Sequence, residues 1–269
     1  MKKIIVRILI ILLSLHILFC VFFYVMQRRF IFYPTKLEAS YNFSFGQKYE
    51  EVNIKTQDNC ILNGLLFKVE NPKGLIFYLH GNAGALDSWG RLAPVYTDLG
   101  YDVFFLDYRG FGKSEGEIDG QAQLLGDVQA AYNELKKHYE EDKIIVLGYS
   151  IGTGPAAYLA SVNKPLMLIL QAPYYSLTDV IQGYCPVVPE FLVKYKLETY
   201  KYIEKCTLPI VIFHGDEDKT IPYKNSVRLS DLLKDTDRFV TLSGEGHNHI
   251  TYNNLYKETL TEILNKQQE

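Results

Sequence analysis

Cysteine is scarce in this chain, with four residues among 269, and no two of them form a C-x-x-C pair. The missing pair argues against a zinc site and against a thioredoxin-like redox motif, since both place two cysteines close together in sequence. Cys185 and Cys206 lie in one insertion and could form a bridge, although buried free thiols are the more common state of such residues. The sequence therefore predicts a protein that needs neither a metal nor a cofactor.

Basic blocks are also missing, because the lysines are spread singly and the net charge is -3. This pattern argues against a nucleic-acid partner. The chain has no internal repeat and no low-complexity tract, which excludes repeat architectures and extended disordered arrays. What is present is a chain that is 48% hydrophobic and long enough for one large α/β domain or two small ones.

One long apolar run opens the chain, from Ile4 to Met26, and only Arg7, Ser14 and His16 interrupt it. As a helix rising about 1.5 Å per residue, it can cross a hydrocarbon core of roughly 30 Å. It exceeds the apolar region of roughly 7–15 residues in a signal peptide, and no A-x-A-like cleavage site follows. Residues 1–36 are therefore predicted to be an uncleaved single-pass membrane anchor with its juxtamembrane segment. Basic residues flank both ends in nearly equal numbers, so the side of the membrane stays open.

Beyond the anchor, strand patterns alternate with helix patterns over residues 37–269. Two strand segments around the turn at residues 57–59 predict a hairpin, and the later strands are each followed by a helix. This alternation predicts an α/β fold with a mostly parallel sheet of about eight strands and helices on both faces. The predicted strands are 51–55, 61–67, 74–79, 102–106, 144–147, 166–170, 210–213 and 239–242. The predicted helices are 86–99, 121–139, 225–233, 250–265 and one directly after residue 152.

The prediction of function starts from the pentapeptide Gly148-Tyr149-Ser150-Ile151-Gly152, which follows the apolar strand at residue 144. A buried strand, a very tight turn and a helix rich in small residues are typical of a nucleophile elbow. Such a turn strains the backbone of Ser150 and exposes its hydroxyl above the sheet. The two glycines are expected where strand and helix pass too closely for a Cβ atom. Ser150 is therefore the predicted nucleophile.

A serine nucleophile needs a base, and a neutral imidazole is the usual one. His247 lies in a glycine-containing loop between the last strand and the last helix, where it can reach over the serine. His249 is predicted to point elsewhere. His80 and His214 end buried strands, and we interpret them as structural residues that bond to nearby loops.

An acid must hold the tautomer of the base, and the turn after the penultimate strand offers three carboxylates. The residues alone do not decide between Asp216 and Asp218. The order serine, aspartate, histidine on successive strand ends is the order that this architecture uses. The oxyanion needs two backbone N–H donors, predicted to be Ile151 and a residue of the loop after the third strand, Asn82 or Ala83.

Four motifs in chain order resemble those of α/β-hydrolases of the serine-aminopeptidase and monoacylglycerol-lipase-like kind. They are HGNAG at 80–84, DYRGFGKSEG at 107–116, GYSIG at 148–152, and HGDEDKTIP at 214–222 followed by GEGHN at 244–248. The resemblance covers residues 50–265 and is nearest to membrane-anchored members that include eukaryotic protein depalmitoylases. It implies the α/β-hydrolase fold, and it implies that the acid is the later carboxylate, Asp218, and that the base is His247. Asp107 and Arg109 of the second motif are predicted to be structural.

An insertion at residues 172–208 lies where this fold places a lid, and it is rich in tyrosine. Two interpretations stay open: an aromatic wall for an acyl chain, or simple packing of a short helical excursion. Its tyrosines are Tyr174, Tyr175, Tyr184, Tyr195, Tyr200 and Tyr202.

Together these features predict a membrane-anchored serine hydrolase that cleaves a carboxylic ester, thioester or amide through a triad of Ser150, His247 and Asp218 and an acyl-enzyme. The substrate is expected to be a small molecule or a lipid or other acylated compound. Two alternatives remain: an acyltransferase that uses the same triad, and a non-catalytic binding protein on a hydrolase fold. The acyl chain, the leaving group and the oligomeric state stay open.

Overall fold

The computed structural model describes residues 1–266, and its centre is an eight-stranded sheet. The strands run in the spatial order β8-β7-β6-β5-β3-β4-β2-β1. The pairs β1–β2 and β2–β4 are antiparallel, and the other pairs are parallel. The mostly parallel sheet that the sequence predicts is therefore confirmed. The strands are β1 (Glu50–Lys55), β2 (Ile61–Phe67), β3 (Leu75–Leu79), β4 (Asp102–Leu106), β5 (Ile144–Tyr149), β6 (Met167–Gln171), β7 (Ile210–Gly215) and β8 (Arg238–Leu242).

Helices cover both faces of the sheet, which explains why the central strands are continuous apolar runs. In β5, Ile144 and Val146 face one core layer, whereas Ile145 and Leu147 face the other. Helices α4 and α5 contribute to the first layer, and α2, α3 and α9 to the second. The helices are α1 (Lys2–Ile31), α2 (Leu86–Trp89), α3 (Ala93–Thr97), α4 (Gln121–Leu135), α5 (Thr153–Val162), α6 (Leu177–Tyr184), α7 (Thr199–Ile203), α8 (Lys224–Ser230) and α9 (Asn254–Lys266).

The single helix predicted over residues 86–99 is wrong, because this segment is two short α-helices joined by a 3₁₀ turn at Gly90–Leu92. The ring of Phe45 lies where a Cβ on Gly90 would stand, with its Cζ atom 2.6 Å from that position. Pro94 then opens α3 at its first turn, a position that proline favours. The segment is bent because it wraps around an aromatic side chain from the connector before β1.

The predicted helix over residues 121–139 ends earlier, at Leu135. Beyond it the backbone bonds shorten to the i−3 type, as in the bond from His138 N to Leu135 O. The hydroxyl of Tyr139 instead donates to Asp102 at the start of β4, at 2.6 Å. This side chain fastens the end of the helical segment to the sheet.

The loop after β4 is held by Arg109, whose side chain is only 6% exposed. Its guanidinium forms two-pronged ion pairs with Asp127 on α4 and with Asp58 in the hairpin turn, at 2.5–2.7 Å. Burial raises the pKa of the Asp127 carboxyl, and the bond from Arg109 opposes this effect. Arg109 thus ties three separate segments together, which is the structural role that the sequence predicts.

Replacing Arg109 with methionine should lower the free energy of unfolding by about 3 kcal/mol, because the buried Asp127 carboxylate would lose its partner. Thermal or denaturant unfolding in detergent measures this change. Asp58→Asn is the matched control, and it should cost less than about 1 kcal/mol because Asp58 is largely exposed. The double variant Arg109→Met/Asp127→Leu should recover much of the loss. An equal cost for Arg109→Met and Asp58→Asn would contradict a buried-pair origin.

The N-terminal helix α1 is 30 residues long, and its apolar window is exposed on the outside of the domain. It meets the test of length and composition for a membrane span, a test that some signal sequences also meet. After α1, Tyr33–Pro34 pairs in parallel with Ala83–Gly84 in the loop after β3. The division of the chain at residue 36 into an anchor and a domain stays a prediction.

Candidate active site

Three loops at the carboxyl ends of β5, β7 and β8 bring Ser150, Asp218 and His247 together. His247 Nε2 lies 2.9 Å from Ser150 Oγ, and His247 Nδ1 lies 2.7 Å from Asp218 Oδ2. In an open parallel sheet this edge is the expected position of a ligand site. The three side chains therefore form one hydrogen-bonded line, although 97 positions separate Ser150 from His247.

The backbone at Ser150 has the strain expected of an elbow. Its φ angle is 52°, in the left-handed region that a non-glycine residue seldom adopts. A Cβ on Gly148 would lie 2.5 Å from Gly152 O, and a Cβ on Gly152 would lie 2.7 Å from His80 O. Both glycines are thus required by the close passage of strand and helix. The turn continues into α5, whose first residue, Thr153, donates from its hydroxyl to Ser150 O at 2.6 Å.

Tyr174, the third residue after β6, supports the elbow from the other side. Its hydroxyl donates to Ile151 O at 2.9 Å and accepts from Gly154 N at 3.1 Å. Burial raises the pKa of this phenol above its ordinary value, so the hydroxyl keeps its proton. The first tyrosine of the predicted lid therefore fixes the turn that carries Ser150.

The hydrogen-bond network assigns the tautomer of His247. Nδ1 faces a carboxylate oxygen and therefore carries the proton, which leaves Nε2 of the neutral ring to accept from Ser150 Oγ. The loop is fastened by Tyr149, whose hydroxyl donates to His247 O at 2.6 Å. Burial, and then the nearby Asp218 carboxylate, raise the pKa of Tyr149, so this donor stays protonated.

Asp218 is buried, and four groups donate to its carboxylate. Oδ1 accepts from the backbone N–H groups of Thr220 and Ile221, both at 2.8 Å. Oδ2 accepts from His247 and from His214 Nε2, the latter at 3.1 Å. Burial alone would raise the pKa of Asp218, but these hydrogen bonds outweigh it and hold the pKa well below its ordinary value of 3.8. The carboxylate therefore stays ionised wherever an ordinary aspartate would.

His214 is a residue of the site that sequence reasoning did not place there. Its Nε2 faces both Asp218 Oδ2 and Ile221 O, two acceptors, so it must carry a proton. Its Nδ1 lies 2.6 Å from Ser226 Oγ on α8. The predicted bond to a nearby loop is present, but the contact with Asp218 makes His214 a positioning residue as well. His214 lies at the end of a strand and Asp218 lies in the turn after it, so no helical spacing signals their contact.

The competing side chains lie outside the hydrogen-bonded line. His249 is exposed, with a φ angle of 72°, two residues beyond the loop position of His247. Asp216 is exposed as well, and its Oδ1 accepts from Gly244 N at 2.7 Å. Asp216 thus stabilises the loop that carries His247, while Asp218 contacts the imidazole.

A cavity of about 560 Å³ opens at Ser150, within the range of roughly 300–1,000 Å³ that is usual for ligand sites. Both predicted oxyanion residues, Ile151 and Asn82, line it. The side-chain amide of Asn82 donates to Ile31 O at 3.0 Å, and the backbone carbonyl of Asn82 accepts from Tyr33 N at 2.7 Å. The oxyanion role predicted for its backbone N–H stays a prediction.

The tyrosines of the insertion divide between the two interpretations. Tyr174 and Tyr184 line the cavity. Tyr175 and Tyr200 stack face to face with ring centroids 4.5 Å apart, and the hydroxyl of Tyr195 donates to Ile118 O at 3.1 Å. The insertion therefore contributes to the cavity wall and also packs on the domain.

Among residues 1–266, no group of three or more His, Cys, Asp or Glu side chains could hold a metal ion. Cys185 and Cys206 are both free thiols. Burial raises the pKa of the Cys206 thiol to about 12, so it is a poor nucleophile. The chemistry available at Ser150 is that of the hydroxyl, the imidazole and the carboxylate.

A second buried polar cluster lies beside the elbow. His80 Nε2 is 3.4 Å from Asp107 Oδ1, and the Tyr108 hydroxyl donates to His80 O at 3.0 Å. Burial raises the pKa of the Asp107 carboxyl, although the neighbouring His80 imidazole opposes this effect. These residues join the loops after β3 and β4, in agreement with the structural roles predicted for His80 and Asp107.

Known proteins are similar to this chain in sequence. A family profile described as serine aminopeptidase, S33, matches residues 70–201. An uncharacterized protein of Mycobacterium tuberculosis is 30% identical over 234 residues, which cover 84% of this chain and 82% of that protein. The human alpha/beta hydrolase domain-containing protein 17B is 28% identical over 206 residues, which cover 73% of this chain and 68% of that protein.

Solved structures share the fold. The Pyrococcus furiosus esterase Pf2001 superposes with a TM-score of 0.70 at 19% identity, covering 89% of this chain and 98% of the esterase. Est1E from Butyrivibrio proteoclasticus gives a TM-score of 0.67 at 20% identity, covering 81% and 98%. With the matching profile and relatives, these findings establish the family, and hydrolysis is the class of activity that it supports. The chain belongs to the α/β-hydrolase superfamily.

Proposed function

We propose that this protein is a membrane-anchored serine hydrolase that cleaves a carboxylic ester, thioester or amide through an acyl-enzyme. The observation that carries the proposal is the line from Asp218 through His247 to Ser150, with distances of 2.7 and 2.9 Å. It ends on a strained serine that lines a largely apolar cavity.

In the first half of the proposed reaction, Ser150 Oγ attacks the carbonyl carbon of the substrate, and His247 Nε2 accepts the hydroxyl proton. The ionised Asp218 stabilises the resulting imidazolium and keeps its Nδ1–H in place. Negative charge on the carbonyl oxygen is stabilised by the backbone N–H groups of Ile151 and Asn82. Collapse of the intermediate breaks the bond to the leaving group, which takes the proton from His247 and leaves an acyl-Ser150 ester.

In the second half, water attacks the acyl-Ser150 carbonyl while His247 accepts its proton. The tetrahedral intermediate then expels Ser150 Oγ, which regains a proton from the imidazolium. The products are the free carboxylic acid and the resting enzyme. In this scheme the three side chains move the protons, and water is the second substrate.

Two features support an acyl substrate and a membrane location. The cavity next to Ser150 is lined mainly by aliphatic and aromatic side chains, which suit the hydrocarbon part of an acyl group. The exposed apolar surface of α1 supports a membrane anchor, because a helix of that length and composition satisfies its backbone within the bilayer. The solved neighbour Pf2001, which is named as an esterase, agrees with acyl chemistry.

A fluorophosphonate probe tests the proposal, because it phosphonylates a serine only where a base activates the hydroxyl. We expect the folded protein to be labelled at Ser150, as located by peptide mapping, and Ser150→Ala to be unlabelled. Heat-denatured protein is the control and should not react. The labelled protein should also sediment with membranes after an alkaline wash. Equal labelling of Ser150→Ala and the wild type would refute the assignment.

A further inference from the structure

Helix α1 touches the domain only near its carboxyl end. Phe23, Gln27 and Ile31 are buried, with exposures of 8%, 1% and 7%, whereas most side chains between Ile4 and Phe22 are exposed. The buried positions recur every four residues, so they form one stripe on the helix. The helix is therefore docked on the domain by its last three turns.

Gln27 fixes this docking with directional bonds. Its side-chain amide donates to Leu192 O at 3.0 Å, and its amide oxygen accepts from Lys194 N at 2.8 Å. Phe23 packs beside it in an apolar cluster with Val188 and Val193. All four partners belong to the insertion between β6 and β7, so the position of α1 is set by that insertion.

The chain that leaves α1 is bonded to the loop after β3. Asn82 Nδ2 donates to the last carbonyl of the helix, Ile31 O, at 3.0 Å. The parallel pairing of Tyr33–Pro34 with Ala83–Gly84 continues this connection. The carboxyl end of α1 thus lies next to the loop that is predicted to complete the oxyanion site.

This docking gives the cavity at Ser150 a wall made of α1. One face of the helix, with Phe19, Phe22, Phe23 and Phe30, lines the same cavity as Ser150. The ring centroids of Phe22 and Phe30 are 6.0 Å apart, so the aromatic wall is continuous. Helix α6 and the residue that follows it also line the cavity, through Leu177, Val180, Ile181, Tyr184 and Cys185.

The level of the cavity relative to a bilayer follows from the length of α1. About 20 residues cross the hydrocarbon core, so a span that begins at Ile4 reaches its far boundary near Phe23. Arg28 and Arg29 then lie at the level of the headgroups, where basic side chains are stable. The aromatic wall therefore straddles the boundary between the hydrocarbon core and the headgroups, at the depth where the ester carbonyls of lipids lie.

We propose that the aromatic face of α1 forms one wall of an acyl channel that leads from the bilayer to Ser150. A long acyl chain of a bilayer lipid ester enters along this wall without crossing water, and its carbonyl stops at Ser150. This inference rests on the proposed function, because it needs Ser150 as the nucleophile. It makes Phe22, together with its aromatic neighbours on α1, a determinant of chain-length specificity.

The test uses the full chain in phospholipid vesicles with two probes, p-nitrophenyl palmitate in the bilayer and water-soluble p-nitrophenyl butyrate. Phe22→Ala should lower the ratio of kcat/KM for palmitate to that for butyrate about tenfold, because it removes a large apolar contact with the distal chain. Leu18→Ala is the matched control on the same helix. Its side chain is 64% exposed and is not part of the cavity wall, so both rates should match the wild type.

Three outcomes would overturn the inference: an unchanged ratio in Phe22→Ala, an equal fall in Leu18→Ala, or a rise in the ratio, which would make α1 a plug. Failure of the proposed function is distinguishable from these. A wild type that neither cleaves butyrate nor reacts with the fluorophosphonate would refute the serine hydrolase itself. A wild type that cleaves butyrate through Ser150, with chain preference independent of α1, would refute the channel alone.

Discussion

His247→Ala should lower kcat for a simple ester by on the order of 10⁶-fold, a loss as large as that expected of Ser150→Ala. The variant keeps the hydroxyl of Ser150 but removes the side chain that lies 2.9 Å from it and can accept its proton. Without that acceptor the attacking group is a neutral alcohol, and the leaving group receives no proton. Steady-state hydrolysis of p-nitrophenyl butyrate measures the loss.

The matched control for this experiment is His249→Asn, which alters the neighbouring exposed imidazole. Asparagine is chosen because it tolerates the positive φ angle of 72° at that position. This control should retain nearly full activity. The double variant Ser150→Ala/His247→Ala should be no slower than either single variant, because the two residues act as one unit. Additive losses, or similar losses in the two histidine variants, would show that His247 is not the base.

Asp218→Asn should lower kcat about 10⁴-fold while leaving the fold intact. Asp218 accepts four hydrogen bonds, whereas an asparagine has a single acceptor oxygen. If that oxygen faces Thr220 N and Ile221 N, the amide N–H₂ faces His247 Nδ1 and donates to it. The imidazole then carries its proton on Nε2, where it cannot accept from Ser150. The measurement is kcat for the same ester, with circular dichroism to verify folding.

Asp216→Asn is the control for the acid, since it lies two residues away in the same turn. An asparagine there keeps the Oδ1 acceptor for Gly244 N and so preserves the loop. We expect activity within about threefold of the wild type, given that surface substitutions of this kind change stability by about 0.5 kcal/mol or less. Equal losses in the two variants would mean that Asp218 was the wrong choice.

The sheet could be predicted from the sequence because its central strands are buried on both faces and read as continuous apolar runs. The run from Ile144 and the segment Asp102–Leu106 are examples. The bend at Gly90 could not be predicted, because it depends on Phe45 from a distant connector. Local periodicity carries no information about such a contact.

The candidate site likewise combines residues that the sequence predicts with contacts that it does not. Ser150, Asp218 and His247 could be proposed from motifs, because each follows a strand that ends at the same edge of the sheet. The contact of His214 with Asp218 and the docking of α1 on the insertion depend on tertiary packing. Gln27 is the residue that could have indicated the docking of α1, because the side-chain amide of a buried glutamine in an apolar helix needs hydrogen-bond partners.

The short parallel pairing of Tyr33–Pro34 with Ala83–Gly84 has a practical meaning for anyone preparing a water-soluble version of this enzyme. Gly112 N also bonds to Thr35 O, and Leu37 N bonds to Gly112 O. A gene that begins at codon 37 would therefore lose these backbone bonds to the loops of the candidate active site together with the apolar helix α1. A better starting point lies upstream of Phe32, a buried ring that packs edge-on against Tyr195.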